Sequence, residues 1–198
     1  AGADKEAQNI DDWTALHCAA FSGHAKALAV LLDAGADKEA QNNSNRTALH
    51  HAARWGSVEA LTVLLDAGAD KEAQNIDDWT ALHCAAFSGH AKALAVLLDA
   101  GADKEAKDDS NRTALHHAAR WGSVEALTVL LDAGAYKEAK DDSNRTALHH
   151  AARWGSVEAL TVLLDAGAYK EAQDNMGCTA LHFAAANGQE KALTVLLD

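Results

Sequence analysis

Thr-Ala-Leu-His-His-Ala-Ala-Arg-Trp-Gly-Ser-Val-Glu-Ala-Leu-Thr-Val-Leu-Leu-Asp, residues 47–66, is the stretch that decides the fold. Apolar residues follow Thr47 at helical spacing, which predicts a helix. As the N-cap of this helix, the Thr47 hydroxyl is expected to accept a hydrogen bond from a free backbone N–H group. Gly56 interrupts this helix after about two turns, and Ser57 can cap a second, more apolar helix. Gly68 follows, as Gly commonly does just past a helix C-terminus. The stretch therefore predicts two short helices joined by a turn.

This pattern recurs with a period of 33 residues, and six copies account for all 198 residues. Each copy opens with Ala-Gly-Ala and closes with Val-Leu-Leu-Asp. Helices this short are marginal alone in water, so neighbouring copies must stack and bury a continuous core. The sequence predicts a single domain, 1–198, made of the repeats 1–33, 34–66, 67–99, 100–132, 133–165 and 166–198.

Thr-Ala-Leu-His stands in phase in every repeat, at 14–17, 47–50, 80–83, 113–116, 146–149 and 179–182. With the Gly-Ala-Asp that opens most repeats, this motif resembles the ankyrin repeat over the whole chain. The resemblance implies an all-α ankyrin-repeat solenoid of six stacked helix-turn-helix units joined by long hairpin-like loops. It also implies that the histidine of the motif is structural and ties adjacent turns together.

Two departures from the ankyrin pattern concern the backbone. Ala replaces the usual Pro of the motif throughout, and the chain contains no Pro. The usual turn Gly is kept only as Gly177. Asn and Asp, the next best residues for a left-handed backbone, replace it elsewhere, so the turn is expected to survive. These replacements are Asp12, Asn45, Asp78, Asn111 and Asn144.

The charge balance points to protein partners. The chain has 29 acidic and 17 basic residues, a net charge of −12, which disfavours non-specific binding to nucleic acid or anionic membranes. No apolar run approaches the roughly 18 residues that span a membrane. Its three cysteines are odd in number and far apart, which favours a reducing compartment, the cytoplasm for a natural protein.

Catalytic chemistry has little support in the sequence. There is no Gly-rich phosphate loop, and a cysteine nucleophile would need a nearby base and an oxyanion site. Cys18 and His51 share a repeat position in neighbouring repeats, yet two ligands fall short of a closed zinc site. The sequence predicts a chain that is not an enzyme and carries no cofactor or metal.

The candidate binding residues lie just before each motif Thr and just before each inter-helix Gly. By resemblance these positions face the concave side of the stack or its edge. They hold every Trp and Arg of the chain, and both residue types are enriched in interface hot spots. The predicted site comprises Trp13, Phe21, Arg46, Arg54, Trp55, Trp79, Phe87, Arg112, Arg120, Trp121, Arg145, Arg153 and Trp154.

A structural interpretation of the same residues stays open. Trp13 with Arg46, and Trp79 with Arg112, can stack a guanidinium on an indole between successive repeats. The aspartate pairs 108–109 and 141–142 beside the arginines are expected to form a solvated acidic rim.

Exact copying sets this array apart. Repeats 1–33 and 67–99 are identical, and repeats 100–132 and 133–165 differ only at Asp103 and Tyr136. Such copying favours deliberate assembly over recent duplication. We name the repeat types by position, so that they run A, B, A, B, B, C. The alternatives to a binding scaffold are end-to-end self-association and a test of repeat assembly without a natural ligand. Only the last repeat diverges toward a terminal cap.

Overall fold

A computed structural model describes residues 2–198, and this range contains twelve α-helices and no strand, two helices in each 33-residue repeat. The predicted all-α fold class is confirmed. The helices are α1 (Ala15–Phe21), α2 (Ala25–Asp33), α3 (Ala48–Arg54), α4 (Val58–Asp66), α5 (Ala81–Phe87), α6 (Ala91–Asp99), α7 (Ala114–Trp121), α8 (Val124–Asp132), α9 (Ala147–Trp154), α10 (Val157–Asp165), α11 (Ala180–Ala186) and α12 (Glu190–Leu197).

The chain divides into two compact units. The first compact unit comprises the described part of residues 1–85 together with 92–103, and the second comprises 86–91 and 104–198. In the first, α1 packs on α2 and α3, and α4 packs on α2 and α3. In the second, the short helices α7, α9 and α11 pack side by side, each against the longer helix that follows it. Each compact unit is thus a stack of helical hairpins in two layers.

A capping box starts each short helix whose N-terminus the structure details. In α3 the Thr47 hydroxyl accepts the backbone N–H of His50, and the Thr47 N–H donates to Nδ1 of His50 at 3.1 Å. Because Nδ1 accepts, Nε2 carries the proton and donates to the carbonyl of Trp79, 2.8 Å away in the next repeat. The motif histidine thereby joins a helix start to the following repeat.

The second helix of a hairpin begins differently from the prediction. Ser57 occupies the N-cap position of α4, but its side chain makes no capping hydrogen bond. Its ψ angle is 83°, far from the 170° at Thr47, so its hydroxyl is not aimed at the free N–H groups. The predicted Ser57 cap is wrong.

Leucine and alanine form the core. Leu49, Ala60, Leu61 and Leu64 are each at most 1% exposed. Small alanines on the short helices allow close approach, while the leucines of the longer helices fill the space between hairpins. Burying each leucine contributes about 1.5–3 kcal/mol, which compensates for helices too short to be stable alone.

The left-handed turns predicted from Asn and Asp are confirmed. Asp12, Asn45, Asp78, Asn111 and Asn144 have φ angles between 54° and 64°. They take the place of Gly177, whose φ is 76°, without disturbing the turn. The irregular loops therefore keep one backbone path in all six repeats.

Tyr136 and Tyr169 replace the Asp of the Gly-Ala-Asp stretch, and the sequence alone gives no reason for them. Both side chains are 62% exposed. The backbone N–H of Tyr136 donates to the carboxylate of Glu105, as that of Asp70 does to Glu39. Because residue 136 takes part in this contact only through its backbone N–H, the position tolerates tyrosine.

Replacing Leu64 with Ala should lower the free energy of unfolding by about 2–5 kcal/mol, because the buried cavity cannot collapse fully. Urea denaturation followed by circular dichroism measures this change. Leu197→Ala is the matched control, since Leu197 is 69% exposed and its loss should cost far less. Equal effects of the two substitutions would contradict the buried-core assignment.

Candidate functional site

An aromatic cluster joins repeats one and two in the first compact unit. The ring centroids of Trp13 and His51 lie 4.4 Å apart, and those of Phe21 and Trp55 lie 5.0 Å apart. Trp13 also contacts Phe21 edge-on at 5.4 Å. Trp55 nevertheless leaves 54% of its surface exposed. The cluster fixes these rings in place while presenting an indole face to solvent.

The predicted stacking of Arg46 on Trp13 is wrong. The ring of His51, which projects from α3, occupies the space against the Trp13 indole. Arg46 is instead anchored by its backbone, because its N–H donates to Asn42 and its carbonyl accepts Nε2–H of His17.

In the second compact unit, one of these ring contacts recurs between repeats three and four. Phe87 contacts Trp121 edge-on with ring centroids 5.0 Å apart, the same spacing as Phe21 and Trp55. Trp121 is 51% exposed. An A-type repeat followed by a B-type repeat therefore gives the same phenylalanine–tryptophan pair in both places.

Arginine–aromatic stacking does occur between successive repeats of the second compact unit. The guanidinium of Arg120 lies 5.0 Å from the Trp154 ring centroid and 5.5 Å from that of Trp121. Arg153 lies 6.0 Å from the Trp154 ring, and Arg145 lies 5.0 Å from the Phe183 ring. The predicted type of contact is present, through residues other than Trp13 and Arg46.

Four arginines surround one cavity of about 280 Å³ formed by repeats four and five. Sequence reasoning named all four but did not bring them together. The signal was visible, since these are the only two B-type repeats that follow one another. The cavity is lined by Ser110, Arg112, Arg120, Asp141, Asp142, Ser143, Arg145, His150, Arg153 and Trp154.

The other predicted site residues keep to the same two positions of the repeat. Trp79 is half-buried before Thr80, and its carbonyl accepts the hydrogen bond from His50. Arg54 is half-buried at the last residue of α3, directly before the exposed Trp55.

The expected acidic rim is only partly a solvated surface. Asp108 is 5% exposed, whereas its neighbour Asp109 is exposed. Asp108 accepts hydrogen bonds from the backbone N–H groups of Ser110 and Arg112 and from Nε of Arg112, and Nε2 of His117 lies 2.9 Å away. A backbone-capping role explains why the side chain is buried.

Asp141 has an equivalent arrangement, with Nε2 of His150 at 2.9 Å. Burial alone would raise the pKa of Asp141, but hydrogen bonds from His150 and the Arg145 backbone outweigh it and lower the pKa to about 2. Burial lowers the pKa of His117, against the opposing effect of Asp108. In repeat two an uncharged asparagine takes the place of the aspartate, and the Asn42 amide lies 3.3 Å from Nε2 of His51.

Metal ligands do not cluster in the part of the chain that the structure describes. Among residues 2–198, no three His, Cys, Asp or Glu side chains converge as a metal site would require. Burial raises the pKa of the Cys84 thiol to about 11, so it stays protonated at neutral pH. Across the same residues, no helix is both long and apolar enough to span a membrane.

Stacked helical hairpins with aromatic and arginine side chains at recurring positions define a helical repeat protein. The family described as Ankyrin repeats (3 copies) matches residues 1–75, 67–141 and 135–198. The chain belongs to the ankyrin-repeat family. Ankyrin repeats generally mediate protein–protein interaction and are typically non-catalytic. A comparison with curated proteins gave no match.

Mild acid should destabilise the fold. Burial lowers the pKa of His50 to about 4 and that of His51 and His116 to about 3. The unfolded chain takes up these protons near pH 6.5 and the folded chain does not, so stability falls between about pH 6.5 and pH 4. Each such histidine contributes a slope of roughly 1.4 kcal/mol per pH unit. Urea titrations at a series of pH values measure the slope.

A matched pair of variants tests the cause. His50→Gln should reduce the slope, although it also lowers stability at pH 7 by removing the bond to Trp79. Thr62→Ala, at an exposed side chain that does not titrate, should leave the slope unchanged. An unaltered slope in His50→Gln would disprove the assignment.

Proposed function

We propose that the chain is a non-catalytic protein-binding scaffold whose contact surface is the set of Trp, Arg and Phe residues named above. The observation that carries this proposal is the exposure of three tryptophans at one repeat position. Trp55, Trp121 and Trp154 are 54%, 51% and 50% exposed. Indoles held half in water are available to bury against a partner, and tryptophan is among the commonest interface hot spots.

The rigid attachment of these side chains supports the proposal. Trp121 and Trp154 end α7 and α9, where Gly122 and Gly155 close the helices in the left-handed conformation. Their rings contact Phe87 and Arg120, respectively. A surface already ordered before binding loses less conformational entropy when a partner docks.

Charge supports a partner that is at least partly acidic at its contact surface. The chain carries a net charge of −12, yet all six arginines lie at the two candidate positions of the repeat. Arginines gathered on an otherwise acidic protein guide a complementary partner to this surface and repel it elsewhere. We extend the proposal to residues 1–198 as one functional domain of a cytoplasmic protein. Repeats one and three are identical in sequence, which supports deliberate assembly of the array.

Loss of the exposed indoles should weaken partner binding at least tenfold, the equivalent of about 1.4 kcal/mol. The partner is first identified by affinity capture with the full chain, and its affinity for purified variants is then measured by calorimetry. The test variants are Trp55→Ala and the pair Trp121→Ala with Trp154→Ala.

Thr62→Ala and Thr128→Ala are the controls for this experiment, because both threonines are exposed on the longer helices. Within residues 2–198, each hydroxyl donates only to the helix carbonyl four residues earlier. If all tryptophan variants bound at full strength and a threonine variant lost binding, the binding site would instead lie on the layer of longer helices.

Self-association is a second candidate, supported by apolar side chains left uncovered in the first and last repeats. Ala27 is exposed, whereas Ala60 at the same position in repeat two is 0% exposed. Val30 and Leu197 are each 69% exposed. Such faces stack end to end when copies of a repeat array meet.

Sedimentation velocity over a wide concentration range tests this candidate. End-to-end stacking requires the average mass to rise with concentration, and Val30→Lys should shift the rise to higher concentration because it places a charge on the contact face. Thr62→Lys is the control. A constant monomer mass would remove the candidate.

A further inference from the structure

The cavity between repeats four and five is created by repeat order. These are the only neighbouring repeats that both carry Arg at their thirteenth and twenty-first residues. Arg112 and Arg120 come from the earlier repeat, Arg145 and Arg153 from the later one, and all four line the cavity. Each of these arginines also has a counterpart in repeat two, but four of them are brought together only where two B-type repeats are neighbours.

We propose that this arginine pocket binds a phosphate group, presented by a phosphorylated segment of a partner protein. The inference rests on the proposed function, because the phosphate is carried by a protein that the scaffold binds. It adds to that function the chemical group recognised and the four side chains that recognise it.

The ion pairs around the pocket leave two of its arginines available to an anion. Two of the arginines have carboxylate partners: Nε of Arg112 lies 3.0 Å from Asp108, and Nε of Arg145 lies 3.6 Å from Asp174. Within residues 2–198, no carboxylate lies within ion-pair distance of Arg120 or Arg153. Two guanidinium groups are therefore left without an ion-pair partner, and the oxygens of a phosphomonoester, whose charge is about −2, can accept hydrogen bonds from both.

The aspartates of the pocket are occupied by other contacts. Asp141 bonds to His150 and to the backbone of its own loop, and Asp142 accepts the amide of Asn111. They shape the loops that carry the arginines. Neither carboxylate lies within ion-pair distance of Arg120 or Arg153, although both reduce the net positive charge of the pocket.

Arg120 is constrained by the side chains around it. Its guanidinium lies against Trp154, and its Nε is buried without a hydrogen-bond acceptor. Burial, followed by repulsion from Arg112 and Arg153, lowers its pKa. A bound anion would offset that repulsion.

Phosphate also suits the donor groups of the pocket. Guanidinium groups donate to phosphate oxygens through paired, planar N–H groups, and arginine clusters are a recurrent means of recognising phosphorylated segments. Ser110 and Ser143 add hydroxyl groups to the lining. The cavity has a volume of about 280 Å³, and Arg153 in its lining is exposed to solvent.

Calorimetric titration of the full chain tests the inference with three probes. These are inorganic phosphate, the peptide Gly-Gly-Ser-Gly-Gly with its serine phosphorylated, and the same peptide unphosphorylated. We expect the phosphopeptide to bind more tightly than inorganic phosphate and the unphosphorylated peptide not to bind. Raised salt should weaken binding, because the attraction is between charges.

Arg120→Gln with Arg153→Gln should weaken phosphopeptide binding at least tenfold. Lys26→Gln is the charge-matched control, since Lys26 is exposed on α2 and lies outside the candidate binding positions. Arg153→Gln alone, at an exposed side chain, provides a second variant whose folding is not at risk and should weaken binding severalfold. Circular dichroism verifies the fold of each variant.

Three outcomes would overturn the inference. They are absence of phosphopeptide binding to the unaltered chain, equal binding by the arginine variants, and equal loss in Lys26→Gln. Inorganic phosphate binding as tightly as the phosphopeptide would overturn a protein source for the group. None of these titrations contains the captured partner, so their failure leaves the tryptophan test of the proposed function unaffected.

Discussion

The bond on which the structure depends is the one between the motif histidine and the carbonyl of the next repeat. Nε2 of His50 donates to Trp79, and in the second compact unit Nε2 of His116 donates to Arg145. The same ring caps its own helix through Nδ1, so it must be neutral with its proton on Nε2. One side chain thus stabilises a helix of seven or eight residues and sets the register of its neighbour.

The carbonyl held by this histidine belongs to the residue just before each motif Thr, which is one of the two candidate binding positions. The N–H of that residue is fixed as well, because an Asn or Asp four residues earlier accepts it. Asp141 does so for Arg145, and Asn75 does so for Trp79. The backbone is therefore anchored on both sides at the point where the binding side chain leaves it. Scaffold and surface are linked by the same hydrogen bonds, so acid that protonates the histidines would disturb both.

Much of the fold was predictable because it depends on local chemistry repeated in phase. The helix pair, the buried leucines and the left-handed turn at Asn45 all follow from residue type and spacing. The Ser57 cap failed because residue type alone does not fix ψ. The Trp13 contact failed because His51, a repeat away, packs against the indole instead. The burial of Asp108 was missed for a related reason, since His117 covers it from nine residues further on.

The candidate surface shows how identical repeats can carry different chemistry. An A-type repeat before a B-type repeat places Phe21 against Trp55, and the contact between Phe87 and Trp121 reproduces this. Where two B-type repeats meet, Arg120 takes the position of the phenylalanine and stacks on Trp154. The indole is kept, but its neighbour changes from an apolar ring to a cation. Since each contact spans two repeats, the order of repeats determines the surface as much as their composition does. A copied repeat can therefore acquire a new site without any substitution.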